Sequence, residues 1–489
     1  MEWTREKRYR RLEEVSSKEM QELRERVGSC PWRQTYHIQP ETGLLNDPNG
    51  FSYYNGEYHL FYQWFPLGPV HGLKYWYHTK SVDLVHWENV GIGIEPAKFF
   101  ESHGAFSGSA LEYDGKLYLF YTGNSRDENW VRHPYQCMAV MDENGTIEKF
   151  ENPVIHGVPE GYTDHFRDPK IWENDKRFYA IIGAQRSNAT GCVVLYESVN
   201  LKDWEFLGEV GTELQEFGFM WECPDYFELN EQGILLFSPQ GLQPEGDHYQ
   251  NIYQSGYLIG DRLDFTTCEF QHTEFKELDR GFDFYAPQTM VDHNNRRIVV
   301  GWMGLPEIEY PTDRHGWAHC LTLPRELILE DGKLIQRPVE ELTKLRNKEV
   351  EIETHLTNER KSFDGFNGVT YELCCEFVNH DASEFGIEVR VGEQEKTTVK
   401  YDAKHNKIVF DRSLSGESFA EEYGTVRQCE FSSNKIKFQL FVDSSSIELF
   451  VNDGEEVFTG RIFPKLESKG IQVFADGGEV KMKAIKWDY

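Results

Sequence analysis

Tyr58-His-Leu-Phe-Tyr62 is the first of five short apolar runs that recur about every 60 residues along the chain. The others are Leu117-Tyr-Leu-Phe-Tyr121, Phe178-Tyr-Ala-Ile-Ile182, Ile234-Leu-Leu-Phe-Ser238 and Ile298-Val-Val-Gly-Trp302. Each run follows a turn-forming polar pair, such as Asn55-Gly56 or Asp114-Gly115, and this arrangement predicts a β-hairpin. Five repeats of several short strands predict a five-bladed β-propeller over residues 33–336.

The sequence on either side of this repeat has a different character. Residues 1–32 predict an N-terminal extension with one charged helix from Glu2 to Val27. Residues 337–350 predict a linker with a short helix. From 351 to 489, alternating strands separated by turn signals predict a β-sandwich. The predicted fold class is therefore all-β, with a five-bladed β-propeller followed by a C-terminal β-sandwich.

The composition excludes several classes of function. The chain has 51 Lys and Arg against 82 Asp and Glu, a net charge of −31, which argues against nucleic-acid or membrane partners. No apolar run is long enough to span a membrane, and the charged N-terminus does not resemble a secretory signal. Nine dispersed cysteines without a CxxC pair predict reduced thiols, so a cytoplasmic location is expected.

The repeat also predicts where the chemistry lies. The innermost strand of each blade lines the central channel of a propeller. Residues at the same position in each repeat should therefore lie around this channel, one from each blade. Counting back from each hairpin identifies Asp47, Ser107, Asp168, Glu222 and Tyr285, which are spaced by 54 to 63 residues. Three carboxyl groups on one axis cannot all ionise at low cost, so at least one pKa should rise. Such a difference in pKa suits glycoside cleavage, which needs one protonated acid and one ionised carboxylate.

Each of the three acids also has a structural explanation. Asp47 could form an Asx-turn, Asp168 could pair with Arg167, and Glu222 could be a surface acid at a strand end. Their common register favours a functional site over coincidence. A metal site is disfavoured because the expected neighbours are aromatic residues and Arg167, and no histidine spacing typical of a metal site occurs. No metal or organic cofactor is expected.

The motifs around these acids resemble a known family. Leu45-Asn46-Asp47-Pro48-Asn49-Gly50, Phe106-Ser107-Gly108-Ser109, Arg167-Asp168-Pro169 and Glu222-Cys223-Pro224 resemble the signature motifs of glycoside hydrolase family 32. The resemblance extends into the second domain and covers nearly the whole chain. Within the family, the chain is most similar to the bacterial cytoplasmic sucrose-6-phosphate hydrolases.

The resemblance implies a role for each matching position. Asp47 matches the nucleophile, Glu222 the general acid/base, and Asp168 the transition-state stabiliser. Cys223 matches a position that tunes the acid. The implied substrate-binding residues are Leu45, Asn46, Pro48, Gln63, Trp76, Phe106, Ser107 and Arg167. Lys74-Tyr-Trp-Tyr-His78 departs from the family's pattern around Trp76, so leaving-group preference is less well defined than fructose recognition.

The activity implied is that of a retaining β-fructofuranosidase that hydrolyses sucrose 6-phosphate and sucrose. Two alternatives remain open: an exo-acting fructanase and a non-catalytic fructan-binding lectin. Lys74, Arg126 and His133 are basic residues in the loops of the first two blades, and as surface charges they need no special role. Trp302 is equally compatible with stacking on sugar and with a core position. The sequence does not predict the oligomeric state.

Overall fold

The computed structural model describes residues 2–378 and 380–489, and five antiparallel sheets form the blades of a propeller. The first blade contains β1 (Gly43–Tyr54), β2 (Glu57–Phe65), β3 (Tyr75–Ser81) and β4 (Trp87–Ile94). The second contains β5 (Ala105–Tyr113), β6 (Lys116–Arg126), β7 (Arg132–Met141), β8 (Ile147–Lys149) and β9 (Ile155–His156). The third contains β10 (Tyr162–Asn174), β11 (Arg177–Arg186), β12 (Gly191–Ser198) and β13 (Trp204–Glu209).

The remaining two blades complete the ring. The fourth contains β14 (Met220–Leu229), β15 (Gln232–Gln240), β16 (Gly256–Gly260) and β17 (Lys276–Glu277). The fifth spans β18 (Tyr285–Val291), β19 (Arg297–Met303), β20 (Trp317–Ala318), β21 (Cys320–Leu321), β22 (Arg325–Glu330) and β23 (Lys333–Pro338). Of these, β20 leaves its blade and pairs in parallel with the start of β1, so the last blade is joined to the first by backbone hydrogen bonds. The five predicted hairpins are confirmed, since each apolar run lies in the second strand of a blade.

The C-terminal domain is built on two long strands. Its strands are β24 (Asn347–Lys361), β25 (Tyr371–Val378), β26 (Glu384–Val391), β27 (Lys396–Asp402), β28 (Lys407–Leu414), β29 (Val426–Glu430), β30 (Lys435–Asp443), β31 (Ser446–Val451), β32 (Glu456–Arg461) and β33 (Gly470–Asp488). β33 pairs with β26 before Gly477 and with β25 after Gly478. Both glycines have positive φ, of 71° and 153°, so the strand bends there and serves both layers of the sandwich.

The single N-terminal helix predicted from Glu2 to Val27 is wrong. The structure has two helices, α1 (Arg5–Arg8) and α2 (Ser17–Gly28), with a 3₁₀ turn at Leu12–Glu14 between them. Ser16 begins the second helix by accepting a hydrogen bond from the Glu19 amide at 3.2 Å. Tertiary hydrogen bonds hold the chain at this interruption: the Arg8 carbonyl accepts from the Leu73 amide at 2.7 Å, and the Leu12 amide donates to Tyr75 Oη of β3 at 3.3 Å. No helix within the described ranges has the length and apolarity to cross a bilayer.

A buried polar network joins the propeller to the sandwich. His37 contacts Asp443 at 2.8 Å through Nδ1 and Glu448 at 2.9 Å through Nε2. Glu448 also accepts from Arg325 at 2.6 Å, and Arg325 reaches Asp279 at 3.0 Å. Burial lowers the pKa of His37, but the hydrogen bonds to the two carboxylates outweigh it and raise the pKa to about 9. His37 is therefore a buried cation between two buried anions, and its role is structural.

Replacing His37 with glutamine leaves Asp443 and Glu448 without their shared cation, and we expect a loss of about 3–5 kcal/mol of stability. The folded pKa near 9 exceeds the ordinary value of 6.5. The stabilisation of the fold by protonated His37 is therefore complete below about pH 6.5 and is lost as the pH rises through 9. Urea denaturation should show a lowered midpoint for the variant at pH 7 and a smaller difference at pH 10.

His59→Gln is the matched control for this variant. His59 is also buried, but its Nδ1 contacts His78 at 2.9 Å rather than a carboxylate. Burial lowers the pKa of His59, so this ring is neutral in the fold. A His37→Gln midpoint no lower than that of His59→Gln, or a constant difference across the pH range, would contradict the buried-cation assignment.

Candidate active site

A repeated backbone irregularity directs the site residues toward the propeller axis. In every blade, the pairing of the first strand with the second shifts register at the equivalent place. The shifts lie between Leu45 and Pro48, Ala105 and Gly108, Arg167 and Lys170, Glu222 and Asp225, and Tyr285 and Gln288. A bulge leaves a residue out of the ladder and re-aims its side chain. Asp168, Cys223 and Ala286 have positive φ of 68°, 48° and 49°, an uncommon conformation that concentrates at functional sites.

A cavity of about 830 Å³ opens where these bulges meet, and residues from all five inner strands line it. All three predicted acids, Asp47, Asp168 and Glu222, line this cavity. Carboxylate oxygens of Asp47 and Asp168, together with the Cys223 sulfur, lie within 4.8 Å of one another. The register of the repeat therefore brings the three carboxyl groups to one place.

A chain of hydrogen-bond donors converges on Asp47. Lys74 Nζ donates to Asn46 Oδ1 at 2.6 Å, and Asn46 Nδ2 donates to Gln63 Oε1 at 2.8 Å. Gln63 Nε2 donates to Ser107 Oγ at 2.6 Å, and Ser107 Oγ donates to Asp47 Oδ2. Asn46 also donates to Asp47 Oδ1 at 3.1 Å. Both oxygens of Asp47 thus accept hydrogen bonds, an arrangement that suits a carboxylate rather than a carboxylic acid.

Glu222 has a different set of partners. Arg167 donates to Oε1 through Nε at 2.9 Å and Nη2 at 2.7 Å. Tyr285 Oη donates to Oε2 at 2.6 Å, and Gln240 Nε2 donates to the same oxygen at 2.8 Å. The guanidinium holds one oxygen, while the second faces a hydroxyl that can rotate to accept a hydrogen bond when that oxygen carries a proton.

The three acids compete for charge in this buried site. Burial and the charge of Glu222 raise the pKa of Asp47, against the hydrogen bonds from Ser107 and Asn46. Burial raises the pKa of Asp168 to about 7, against the charge of Arg167. Burial also lowers the pKa of Lys74 to about 7, against the charge of Asp47. Asp168 and Lys74 therefore both have a pKa near neutral pH.

The predicted sugar-binding residues divide into two groups. Asn46, Gln63, Phe106 and Arg167 line the cavity, and Ser107 contacts Asp47 from beside it. Leu45, Pro48 and Trp76 are buried behind the wall and do not line the cavity within the described residues. Trp76 is fully buried, and its Nε1 donates to the Phe106 carbonyl at 3.0 Å. It supports the wall instead of forming it.

Several cavity residues were missed or misjudged from the sequence. Lys74, expected to be a surface charge, is only 2 % exposed and lines the cavity. Tyr285 occupies the corresponding place in the fifth repeat, and this spacing could have identified it as a site residue. Gln240 ends β15 and carries no sequence signal. Trp302 lines the cavity, and its buried Nε1 has no hydrogen-bond partner among the described residues.

The cluster of Asp47, Asp168 and Cys223 has the spacing of a possible cation site. A thiol coordinates metal as the thiolate. Burial and the neighbouring carboxylates raise the pKa of Cys223 well above its ordinary value, which keeps the sulfur protonated. The donor set therefore fits an acid cluster better than a metal centre.

Comparisons with known proteins agree with this geometry. The N-terminal domain model of glycosyl hydrolases family 32 matches residues 37–338, and the C-terminal model matches residues 341–488. A sucrose-6-phosphate hydrolase of Staphylococcus xylosus is 47 % identical over 100 % of this chain and 98 % of its own. The structure of sucrose-6-phosphate hydrolase from Lactobacillus gasseri has a TM-score of 0.92 at 38 % identity, covering 100 % of this chain and 99 % of that one.

A more distant structure extends the likeness beyond bacteria. The family 32 β-fructofuranosidase of Bombyx mori, solved as a mutant in complex with sucrose, has a TM-score of 0.82 at 35 % identity. The alignment covers 97 % of this chain and 98 % of that one. With both family models matched across nearly its full length, the chain belongs to glycosyl hydrolases family 32.

Proposed function

We propose that this chain is a retaining β-fructofuranosidase that hydrolyses sucrose 6-phosphate to fructose and glucose 6-phosphate, and also hydrolyses sucrose. One observation carries the proposal. The cavity joins Asp47, which accepts from Asn46 and Ser107, to Glu222, whose Oε2 lies beside the Tyr285 hydroxyl, a group that can both donate and accept a hydrogen bond. One carboxylate is prepared for attack and one carboxyl for proton transfer. Relatives named sucrose-6-phosphate hydrolases support the choice of substrate.

In the first step, Asp47 attacks the anomeric carbon of the fructosyl unit and forms an ester with it. The donors from Asn46 and Ser107 hold the carboxylate in one orientation, so little reorganisation is needed before attack. As the bond to the leaving sugar breaks, its oxygen takes the proton from Glu222. We assign that proton to Oε2, because Arg167 can only donate to Oε1, whereas the Tyr285 hydroxyl beside Oε2 can rotate to accept a hydrogen bond.

In the second step, Glu222 acts as a base. It removes a proton from water, and the water attacks the fructosyl ester and releases Asp47. Asp168 faces the same cavity and accepts from the Cys223 amide at 3.1 Å, which holds its carboxyl group in place. We assign it to the fructose hydroxyls and to the positive charge that develops on the furanosyl ring.

The location proposed for this activity is the cytoplasm. All nine cysteines are free thiols, and eight have no catalytic role in the proposed mechanism. Free thiols persist in a reducing compartment. A phosphorylated sugar is also charged and does not cross a bilayer unaided, so its hydrolase belongs on the side where the phosphate is added.

Initial rates on sucrose 6-phosphate, sucrose and inulin test the proposal. A charge-assisted contact to the phosphate contributes enough for kcat/KM on sucrose 6-phosphate to exceed that on sucrose by about 10-fold or more. Inulin should be the poorest of the three. Equal values for the first two sugars would remove the phosphate preference, and fastest release of fructose from inulin would favour an exo-fructanase. Binding of all three without product would favour a lectin.

A further inference from the structure

Arg132 lines the cavity and Arg126 is its paired position in the neighbouring strand, and the catalytic steps use neither residue of this arginine pair. The two residues face each other across the hairpin of β6 and β7 as paired positions. The Nε of each is buried and has no hydrogen-bond partner among the described residues. Arg126 donates only from Nη1, to the Trp130 carbonyl at 2.8 Å. Two guanidinium groups therefore stand together with most of their donors unused.

Carboxylates in the surrounding loop do not neutralise this pair. Asp127, the nearest acid in sequence, contacts His133 at 3.2 Å and accepts from the amides of Asn129 and Val131 at 2.9 Å. Within residues 2–378 and 380–489, neither arginine of the pair forms an ion pair within 4.0 Å. Asp164 and Glu222 act on Arg132 only through their charge, without an ion-pair contact, so the pair is a local positive site that an anionic ligand can bind directly.

The environment of Arg132 supports an anion at this point. Burial and the charges of Arg167 and Arg126 together lower the pKa of Arg132 to about 10, against the charges of Asp164 and Glu222. The group remains charged at neutral pH, but its burial has an electrostatic cost that a bound dianion would offset. Arg132 lines the same cavity as the three acids.

The pair also lies on the side of the cavity where the leaving group departs. Arg132 is close enough to Glu222 for the charge of that acid to act on it, and Glu222 is the group that protonates the leaving oxygen. The donor chain from Lys74 to Ser107 surrounds Asp47 instead, where the fructosyl ring is attacked. In sucrose 6-phosphate the phosphate is on the leaving glucosyl unit, so it must be bound on the Glu222 side.

The N-terminal helix stabilises the loop between these two arginines. Arg5 stacks on the Trp130 ring at 3.9 Å, and the Arg126 guanidinium lies 5.1 Å from the same ring. Tyr9 meets Trp130 edge-on at 5.3 Å and lines the cavity. The hairpin tip that carries the pair is thereby fixed against the mouth of the cavity, as a preformed subsite requires.

We propose that Arg132, with Arg126 beside it, forms the subsite that binds the phosphate of the leaving glucosyl unit. The assignment rests on the proposed function, because it explains a preference for sucrose 6-phosphate over sucrose. Arg132 lines the cavity and supplies a positive charge there. Arg126, oriented by Trp130, adds a second positive charge.

The test compares kcat/KM on sucrose 6-phosphate and on sucrose for the full-length wild type, Arg132→Gln, Arg126→Gln and Arg314→Gln. Arg314 is the matched control, since it also lines the cavity but donates to both oxygens of Glu417 at 2.6 Å. Loss of one charge-assisted contact should lower the preference for the phosphorylated sugar by about 10- to 100-fold in Arg132→Gln. Arg132→Lys keeps the positive charge and should therefore retain part of the preference for sucrose 6-phosphate.

Inhibition by the product gives a second measurement that a general structural defect would not reproduce. Glucose 6-phosphate should inhibit the wild type far better than glucose, and Arg132→Gln should lose most of that difference. A wild type that prefers sucrose 6-phosphate, with an Arg132→Gln variant that keeps the preference as Arg314→Gln does, would overturn the subsite. A wild type without any preference would instead overturn the phosphate part of the proposed function, and the subsite with it.

Discussion

Asp47→Asn is expected to lower kcat on sucrose 6-phosphate by about 10⁴-fold or more, because an amide cannot form the fructosyl ester. The side chain keeps its shape and one oxygen, so the hydrogen bond from Ser107 is retained. Stability should not fall. Burial raises the pKa of Asp47, which means that its ionised form is disfavoured in the fold, and the neutral amide removes that cost.

Steady-state kinetics and thermal unfolding together check this prediction. We expect no measurable turnover and an unfolding temperature equal to or above that of the wild type. Ser107→Ala is a graded companion, since it removes one hydrogen bond to Asp47 but leaves the carboxylate, and it should lose only about 10-fold. Turnover by Asp47→Asn within 10-fold of the wild type would remove Asp47 as the nucleophile.

Glu222→Gln has the second-largest expected effect, and the effect should depend on the leaving group. General acid catalysis contributes about 10²–10⁴-fold, so hydrolysis of sucrose 6-phosphate should fall by that factor. A nitrophenyl β-fructofuranoside releases a stable phenolate and needs no proton. Formation of the fructosyl ester should therefore proceed on this substrate, and a burst of nitrophenolate should precede slow turnover.

The burst distinguishes acid/base catalysis from simple disruption of the cavity. Gln240→Ala is a suitable control, because Gln240 donates to Glu222 Oε2 without carrying the proton. It should lower the rates on both substrates by a similar, modest factor. Equal losses on both substrates for Glu222→Gln, without a burst, would exclude Glu222 as the acid.

The propeller and its acids could be predicted because both appear in the sequence as a repeat of nearly constant spacing. Each blade places a turn, an apolar second strand and a bulged first strand at nearly constant spacing. Asp47, Asp168 and Glu222 are therefore visible as equivalent positions before any contact is known. Tyr285 has the same register, and the only reason to overlook it was that it is not an acid.

The rest of the site depends on contacts that spacing does not encode. Lys74 lies just before β3 and outside any strand, and its hydrogen bond to Asn46 is a tertiary contact that the repeat spacing does not encode. Trp76 lies in a motif near the acids, yet the alternation of side chains along β3 turns it into the core. The N-terminal helix is interrupted because tertiary hydrogen bonds to blade one outweigh local helix propensity.

The arginine pair illustrates the same limit. Arg126 and Arg132 are ordinary charges in the sequence, and only the hairpin pairing places Arg126 beside Arg132, which lines the cavity. The net charge of −31 gave no indication of a local positive site, because net charge describes the whole surface and not one pocket.

Trapping of the covalent intermediate tests the central claim most directly. The Glu222→Gln variant, mixed with a nitrophenyl β-fructofuranoside and quenched in acid during the burst, should yield one modified peptide by mass spectrometry. We predict a mass increase of one anhydrofructose unit on the carboxyl group of Asp47, and none in the Asp47→Asn, Glu222→Gln double variant. An unmodified Asp47 throughout the burst, or the sugar attached to Asp168, would contradict the mechanism.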